Sequence, residues 1–264
     1  MQKKTNARLK FYRFGNFGTE LPIFIAHGLF GSARNWSSVA NQLSVILSRP
    51  IVTFDLRNHG SSFWSKDHSY ESMAIDLATL ISDFGGKGDL IGHSMGGKAI
   101  MSLALQFPEL VSRLIVVDIA PVNYPSDQRQ NLNAMKSIDV SYMKRRSEVD
   151  LELKKLIKNE KHRALFLQNL SRDNNGFLCW TLNIASLFEN MDNIMSFPVY
   201  LQKYYGPALF IRGGLSDYLS NRRQTEIVKF FPNYELHKVD DCGHWIHSEK
   251  PLIFQETVAL FLNR

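Results

Sequence analysis

A chain of 264 residues, 44% hydrophobic and 21% charged, holds enough apolar material for one large core with at most a small appended unit, and is neither disordered nor fibrous in composition. The net charge of +6 does not mark a nucleic-acid binder, because the basic residues are scattered and the densest run, Lys144-Arg145-Arg146, is followed at once by Glu148, Asp150 and Glu152, as on a solvated helix face. No apolar run approaches the roughly 20 residues of a membrane helix, so no membrane insertion is expected. Met1-Gln2-Lys3-Lys4-Thr5-Asn6 lacks the apolar core of a secretory signal, and the two cysteines, Cys179 and Cys242, offer neither a disulfide framework nor a metal spacing; a cytoplasmic setting is the simplest expectation.

In chain order, strands are expected at residues 9–14 and 22–26, the second running into the Gly-rich turn His27-Gly28-Leu29-Phe30-Gly31-Ser32. A helix over 36–47 leads to a strand at 51–55 and the polar turn Asp55-Leu56-Arg57-Asn58-His59-Gly60-Ser61-Ser62. That turn has the look of a phosphate or metal site, but no Gly-x-Gly-x-x-Gly opens a helix and no Walker lysine is present, so it reads as a structural turn whose charged residues brace neighbouring loops. A helix over 70–84, a strand at 89–93, a helix over 95–107 stopped by Pro108 and a strand at 114–118 follow. The series resumes with strands at 208–212 and 234–239 and closes with a helix over 251–262. Such alternation predicts an α/β fold: a mostly parallel sheet with helices on both faces. Ligands bind beyond the carboxyl ends of the strands in such sheets, and His27, Asp55, Ser94, Asp118 and Asp217 all fall at those ends.

Residues 122–205 break the alternation, with helical patterns at 128–138, 147–158, 162–170 and 178–195 and no strand. One crossover needs far fewer residues. The expected organisation is therefore a core domain over 1–121 and 206–264 with a helical cap, 122–205, inserted over the strand ends.

Asp89-Leu90-Ile91-Gly92-His93-Ser94-Met95-Gly96-Gly97-Lys98 carries the chemistry. A buried strand end, then Gly92-x-Ser94-x-Gly96, then a helix is the pattern of a nucleophile elbow, whose tight turn lifts the serine hydroxyl to a helix N-terminus that favours negative charge. A serine hydroxyl needs a base in hydrogen-bond reach, and the base needs an orienting acid. His244, in the short loop Asp241-Cys242-Gly243-His244-Trp245, is the candidate base, with nearby His247 read as a structural or rim residue. The acid is Asp118 or Asp217; either follows a core strand, and the residues alone leave both open. An oxyanion hole takes one N–H from Met95, just after the nucleophile, and one from Leu29 or Phe30 in the early turn. The chemistry needs no cofactor and no metal. Phe30, Trp245, Phe166, Trp180, Leu182 and Phe188 are candidates to line an acyl pocket, and Lys98 reads as a helix-surface or supporting residue, with facing an anionic substrate as its alternative role.

With the nucleophile, acid and histidine in this chain order, the sequence resembles the α/β-hydrolase superfamily. His27-Gly28-Leu29-Phe30-Gly31-Ser32, Asp55-Leu56-Arg57-Asn58-His59-Gly60, Gly92-His93-Ser94-Met95-Gly96-Gly97-Lys98, Val117-Asp118-Ile119-Ala120-Pro121-Val122 and Gly243-His244-Trp245-Ile246-His247 together resemble the bacterial YbfF-type esterases and their mitochondrial relatives. The resemblance implies carboxylesterase or thioesterase activity on short to medium acyl groups, with Asp118 as the acid. Because one fold hosts many reactions, two other readings stand beside it: a lyase of the menaquinone-pathway kind, in which Lys98 would stand where an arginine is expected, and a slow-turnover ligand receptor. Haloalkane dehalogenase and epoxide hydrolase chemistry is disfavoured, since it uses a carboxylate nucleophile and this elbow presents Ser94.

Overall fold

Strands that are apolar without alternation belong in the middle of a sheet covered on both faces. The computed structural model, which describes residues 8–125 and 128–264, places them there. The chain opens with β1 (Phe11–Phe14) and β2 (Ile23–Ala26), followed by α1 (Ser37–Leu47), β3 (Ile51–Phe54), α2 (Tyr70–Ser82), β4 (Gly88–His93), α3 (Met95–Gln106) and β5 (Val111–Val117). Next come α4 (Arg129–Lys136), α5 (Arg146–Leu156), α6 (Glu160–Leu167), β6 (Leu170–Arg172), β7 (Leu178–Trp180), α7 (Ile184–Glu189) and α8 (Met191–Met195). The chain closes with β8 (Ala208–Gly213), α9 (Asn221–Phe230), β9 (Tyr234–Val239), α10 (Ile246–Glu249) and α11 (Pro251–Leu262).

The central sheet has seven strands in the order β1-β3-β2-β4-β5-β8-β9, parallel except for β1, which pairs antiparallel with β3. The strand period of two divides each central strand between two buried clusters. Ile23, Ile25, Ile91, Ile115 and Val117 pack with Trp36, Leu43, Phe254 and Val258 of the segments around α1 and α11. Phe24, Ala26, Leu90, Leu114 and Val116 pack with Met73, Leu77, Ile100 and Leu103 of α2 and α3. This second cluster continues without a break into Leu132, Met135, Leu153, Phe166 and Leu187, so the long segment between β5 and β8 shares the sheet's own core.

The chain differs from its expected form in two places, one in that segment and one after β8. The expected helix over 178–195 begins instead as β7, which pairs antiparallel with β6: Leu170 lies opposite Trp180 and Arg172 opposite Leu178. The hairpin turns at Asp173-Asn174-Asn175-Gly176, where Gly176 adopts φ +82° and Asp173 Oδ1 accepts the N–H groups of Asn175 (2.9 Å) and Phe177 (2.8 Å). Asn and Gly in sequence are the local signal for this turn. Helix resumes at α7, where Asn183 caps the N-terminus by accepting from the Ser186 N–H. The second difference is α9, in a stretch where no helix was expected; its apolar face is narrow, with Ile227 its buried residue.

Candidate active site

At the carboxyl end of β4 the chain reverses into α3 through Ser94, held at φ 52°, ψ −118°, a conformation that costs an L-residue free energy and persists only where packing enforces it. The enforcing contacts are close backbone approaches. A Cβ on Gly96 would lie 2.4 Å from the carbonyl oxygen of His27, and one on Gly28 would lie 2.9 Å from the His93 ring. The Ser94 N–H donates to Val117 O (3.0 Å) and its carbonyl accepts from the Lys98 N–H (3.1 Å). Met95 is the first residue of α3, so its N–H is one of the helix's unpaired initial donors. The early turn carries Phe30 at φ 63°, and Asn169 Nδ2 ties Phe30 O down at 2.8 Å. Asn169 carries no motif in the sequence that announces this contact.

Asp118 follows β5 at φ 52° and is fully buried. Its Oδ1 accepts the Gly213 N–H at 3.0 Å; its Oδ2 accepts the Ser216 hydroxyl and stands 2.7 Å from His244 Nδ1. With Nδ1 engaged, Nε2 is the nitrogen left for Ser94. The His244 ring is stacked on Tyr218 (centroids 4.1 Å apart, 24° between planes), and its backbone carbonyl accepts from His93 Nε2 at 2.9 Å. Asp217 is exposed, and what it contributes to the network is a backbone carbonyl, which accepts from Arg223. Thus the structure brings Asp118 to His244 and turns Asp217 outward. Ser216 and Tyr218, two residues around the Asp217 alternative, are the ones that reach the site.

Ser94 and His244 line one cavity of about 370 Å³, together with Gly28, Leu29, Phe30, Met95, Phe166 and Trp245. Tyr70, Ile119, Tyr124, Leu165, Ile194 and Met195 complete its apolar wall, whereas Trp180, Leu182 and Phe188 are not among the lining residues. Leu182 is instead buried in the core cluster. Of the two readings of Lys98, helix-surface or supporting, the structure gives the second: it is 2% exposed, lines the cavity, and donates to Met195 O (2.9 Å), Ser196 O (2.7 Å) and Ile194 O (3.4 Å). It thereby ties α3 to the carbonyl end of α8. Burial pushes its ammonium pKa down to about 7, with Arg223 adding to the shift.

The Asp55 turn has the bracing role expected of it. Asp55 accepts from Ala33 N (2.8 Å) and Ser61 N (2.9 Å), and Arg57 clamps Asp76 through Nε (2.6 Å) and Nη2 (2.9 Å). Asn58 Oδ1 accepts from Ser65 N (2.7 Å) and Asn183 Nδ2 (3.0 Å), linking the turn to α7. His247 is buried and stacked on Trp36 at 4.0 Å. Among the described residues no group of three or more His, Cys, Asp or Glu is arranged to hold a metal ion. Nor is any helix long and apolar enough to cross a membrane.

Residues 22–251 match the family model of the alpha/beta hydrolase fold. The chain is 40% identical over 247 residues to the mouse sn-1-specific diacylglycerol lipase ABHD11, covering 91% of this chain and 80% of that protein. It is 32% identical over 244 residues to Escherichia coli esterase YbfF, covering 92% of this chain and 93% of the esterase. A solved marine microorganism esterase superposes with a TM-score of 0.92 at 38% identity, covering 97% of this chain and 99% of that one.

Proposed function

The chain belongs to the α/β-hydrolase family and is a carboxylic ester hydrolase, and from that premise we propose that it is a serine carboxylesterase acting on short to medium acyl esters, thioesters included, through Ser94, His244 and Asp118. The observation that carries the reading is the convergence of a strained elbow serine and an Asp118-bound His244 on one apolar-walled cavity. Its volume of about 370 Å³ sits at the small end of the roughly 300–1,000 Å³ typical of ligand sites, which suits a short acyl chain.

In this mechanism His244 Nε2 takes the Ser94 proton as Oγ attacks the acyl carbonyl. Asp118 holds the Nδ1–H tautomer and stabilises the imidazolium that forms. The N–H groups of Met95 and of Leu29 or Phe30 receive the oxyanion. Collapse breaks the bond to the leaving alcohol or thiol, which takes the proton from His244. Water then attacks the acyl-enzyme by the same route, releasing the acid and restoring Ser94. Residues 122–205 act as a cap, contributing Tyr124, Leu165, Phe166, Ile194 and Met195 to the acyl wall. Lys98 speaks against the lyase reading, because its ammonium is spent on three backbone carbonyls rather than offered to an anionic substrate.

The test is turnover of a p-nitrophenyl ester series from acetyl to long acyl chains by wild type and Ser94→Ala. Hydrolysis that peaks at short chains and falls by about 10⁴-fold or more in the variant is expected. Ester turnover that survives Ser94→Ala removes the reading, and a folded wild type inert on every ester moves it to the lyase or receptor.

A further inference from the structure

The lining of the catalytic cavity changes from one end to the other. Beside His244 it is half-buried: His162 and Trp245 meet with ring centres 5.7 Å apart, and Trp245 lies 5.8 Å from the His244 ring. Tyr70, Lys98, Tyr124 and Ile194 line the cavity as well, and all four are buried. They are mutual neighbours. Lys98 Nζ stands 4.8 Å from the Tyr124 ring centre and 5.7 Å from that of Tyr70, and the Tyr70 hydroxyl donates to Ile194 O at 2.7 Å. The Lys98 N–H donates to Ser94 O, one turn back along α3, so this closed end begins about 6 Å along the helix axis from the nucleophile.

The carboxyl end of α8 shuts that end. The last carbonyls of a helix have no partner within it and form its negative pole. Here Ile194 O, Met195 O and Ser196 O converge on the Lys98 ammonium, and its three N–H donors match the three acceptors. Tyr70 supplies a second donor to Ile194 O, and the Tyr124 N–H a second to Met195 O at 2.9 Å. Ser196 O has no other donor among the described residues. Drawing α8 away from the core would leave a buried charge without partners, which is costly. Ile194 and Met195 are thereby fixed as the inner wall of the cavity.

The order of bond breaking tells which substituent lies there. The alcohol or thiol departs while the acyl group is still bound to Ser94, so the leaving group needs the open side, by His162 and Trp245, and the acyl chain takes the closed end. We propose that Lys98 is the residue that sets the acyl-chain length this enzyme accepts. It acts through α8, holding Ile194 and Met195 across the path of the chain, and takes no part in the bond making at Ser94. The proposal rests on the esterase reading above and deepens it.

Two ester series test this in wild type, Lys98→Met and Tyr70→Phe: p-nitrophenyl esters of lengthening acyl chain, and acetates of lengthening alcohol. Methionine keeps the length of the lysine stem and removes every donor; Tyr70→Phe removes one bond to Ile194 O and leaves the ammonium in place. Lys98→Met is expected to raise the ratio of kcat/KM for decanoyl over butyryl ester about tenfold or more, and Tyr70→Phe about threefold. The acetate profile is expected to stay within about twofold of wild type. An unchanged acyl profile in the folded variants overturns the proposal, and Tyr70→Phe decides alone if Lys98→Met does not fold. A shift in the acetate series, alone or together with the acyl series, also overturns it, because a general loosening of the cavity would move both. Calorimetric binding of methyl ketones carrying the same acyl chains to Ser94→Ala, with and without Lys98→Met or Tyr70→Phe, separates the two readings. A chain-length cut-off that disappears with the second substitution, in a protein whose wild type hydrolyses no ester, overturns the esterase reading alone. A cut-off that is the same with and without it overturns the role of Lys98.

Discussion

Asp55 and Asp118 occupy equivalent places, each directly after a parallel strand and each buried (2% and 0% exposed), yet they are put to different uses. Both oxygens of Asp55 accept backbone N–H groups, from Ala33 and Ser61, so the carboxylate is consumed in holding two loops. Asp118 gives one oxygen to the Gly213 N–H and keeps the other for the side chains of Ser216 and His244. The histidines nearby divide in the same way. His27 and His59 are fully enclosed, and burial pushes their pKa values down to about 4 and about 3. The His244 side chain keeps 17% of its surface exposed and lines the cavity. A buried carboxylate whose partners are all backbone is a structural brace; one with a side-chain partner that itself reaches a cavity has an outlet for its charge.

The contrast is broken or sharpened most strongly by removing charge at each site. Asp118→Asn is expected to lower kcat by about 10³–10⁴-fold on an ester substrate, through loss of the tautomer and of imidazolium stabilisation, while Asp217→Asn changes it by less than about twofold. The reverse ranking in steady-state kinetics would transfer the acid role to the exposed carboxylate. Asp55→Asn should do the opposite: a loss of about 2 kcal/mol or more in urea unfolding, because the amide oxygen can accept from only one of the Ala33 and Ser61 N–H groups and the amide NH2 leaves the other without an acceptor, with kcat per folded molecule nearly unchanged. A large kcat loss at full stability would erase the distinction between the two sites.

A smaller effect comes from the enclosed histidines. In the unfolded chain they bind protons below their ordinary value of 6.5, whereas His27, His59 and His247 resist protonation down to about 4, about 3 and about 3 in the fold. The unfolded state therefore binds more protons in this window. Their contribution to stability is complete above pH 6.5 and is lost as pH falls from there towards about 4, at up to about 1.4 kcal/mol per pH unit for each ring. Urea midpoints measured from pH 7.5 to pH 4.5 should fall accordingly; a flat profile would mean that these rings are not held neutral.

The seven sheet strands and the helices that flank them were legible because local pattern and tertiary burial agree: apolar runs, a proline stop at Pro108, turn residues at strand ends. Legibility fell away between β5 and β8, and again between β8 and β9, where short elements bury only a few residues each. The β6–β7 hairpin was signalled by Asn175-Gly176 but masked by helical spacing in the residues after it, and α9 buries too little to show an apolar stripe.

The elbow around Ser94 was determined by the sequence itself, because a strand end, two glycines and a helix start within a few residues leave the backbone one tight path. The same holds for the parallel sheet, whose period-two strands sort their side chains between two faces whatever lies beyond them. Which carboxylate meets His244 was decided only in three dimensions. Asp118 and Asp217 are equivalent in type and setting along the chain, and it is the pairing of β5 with β8, which sets Gly213 and Ser216 against Asp118, that buries one and exposes the other. Tertiary packing likewise decided between the surface and the supporting readings of Lys98, making it a buried anchor for the end of α8. Neither outcome is local: each depends on contacts between residues about a hundred positions apart, and no window of sequence contains both partners.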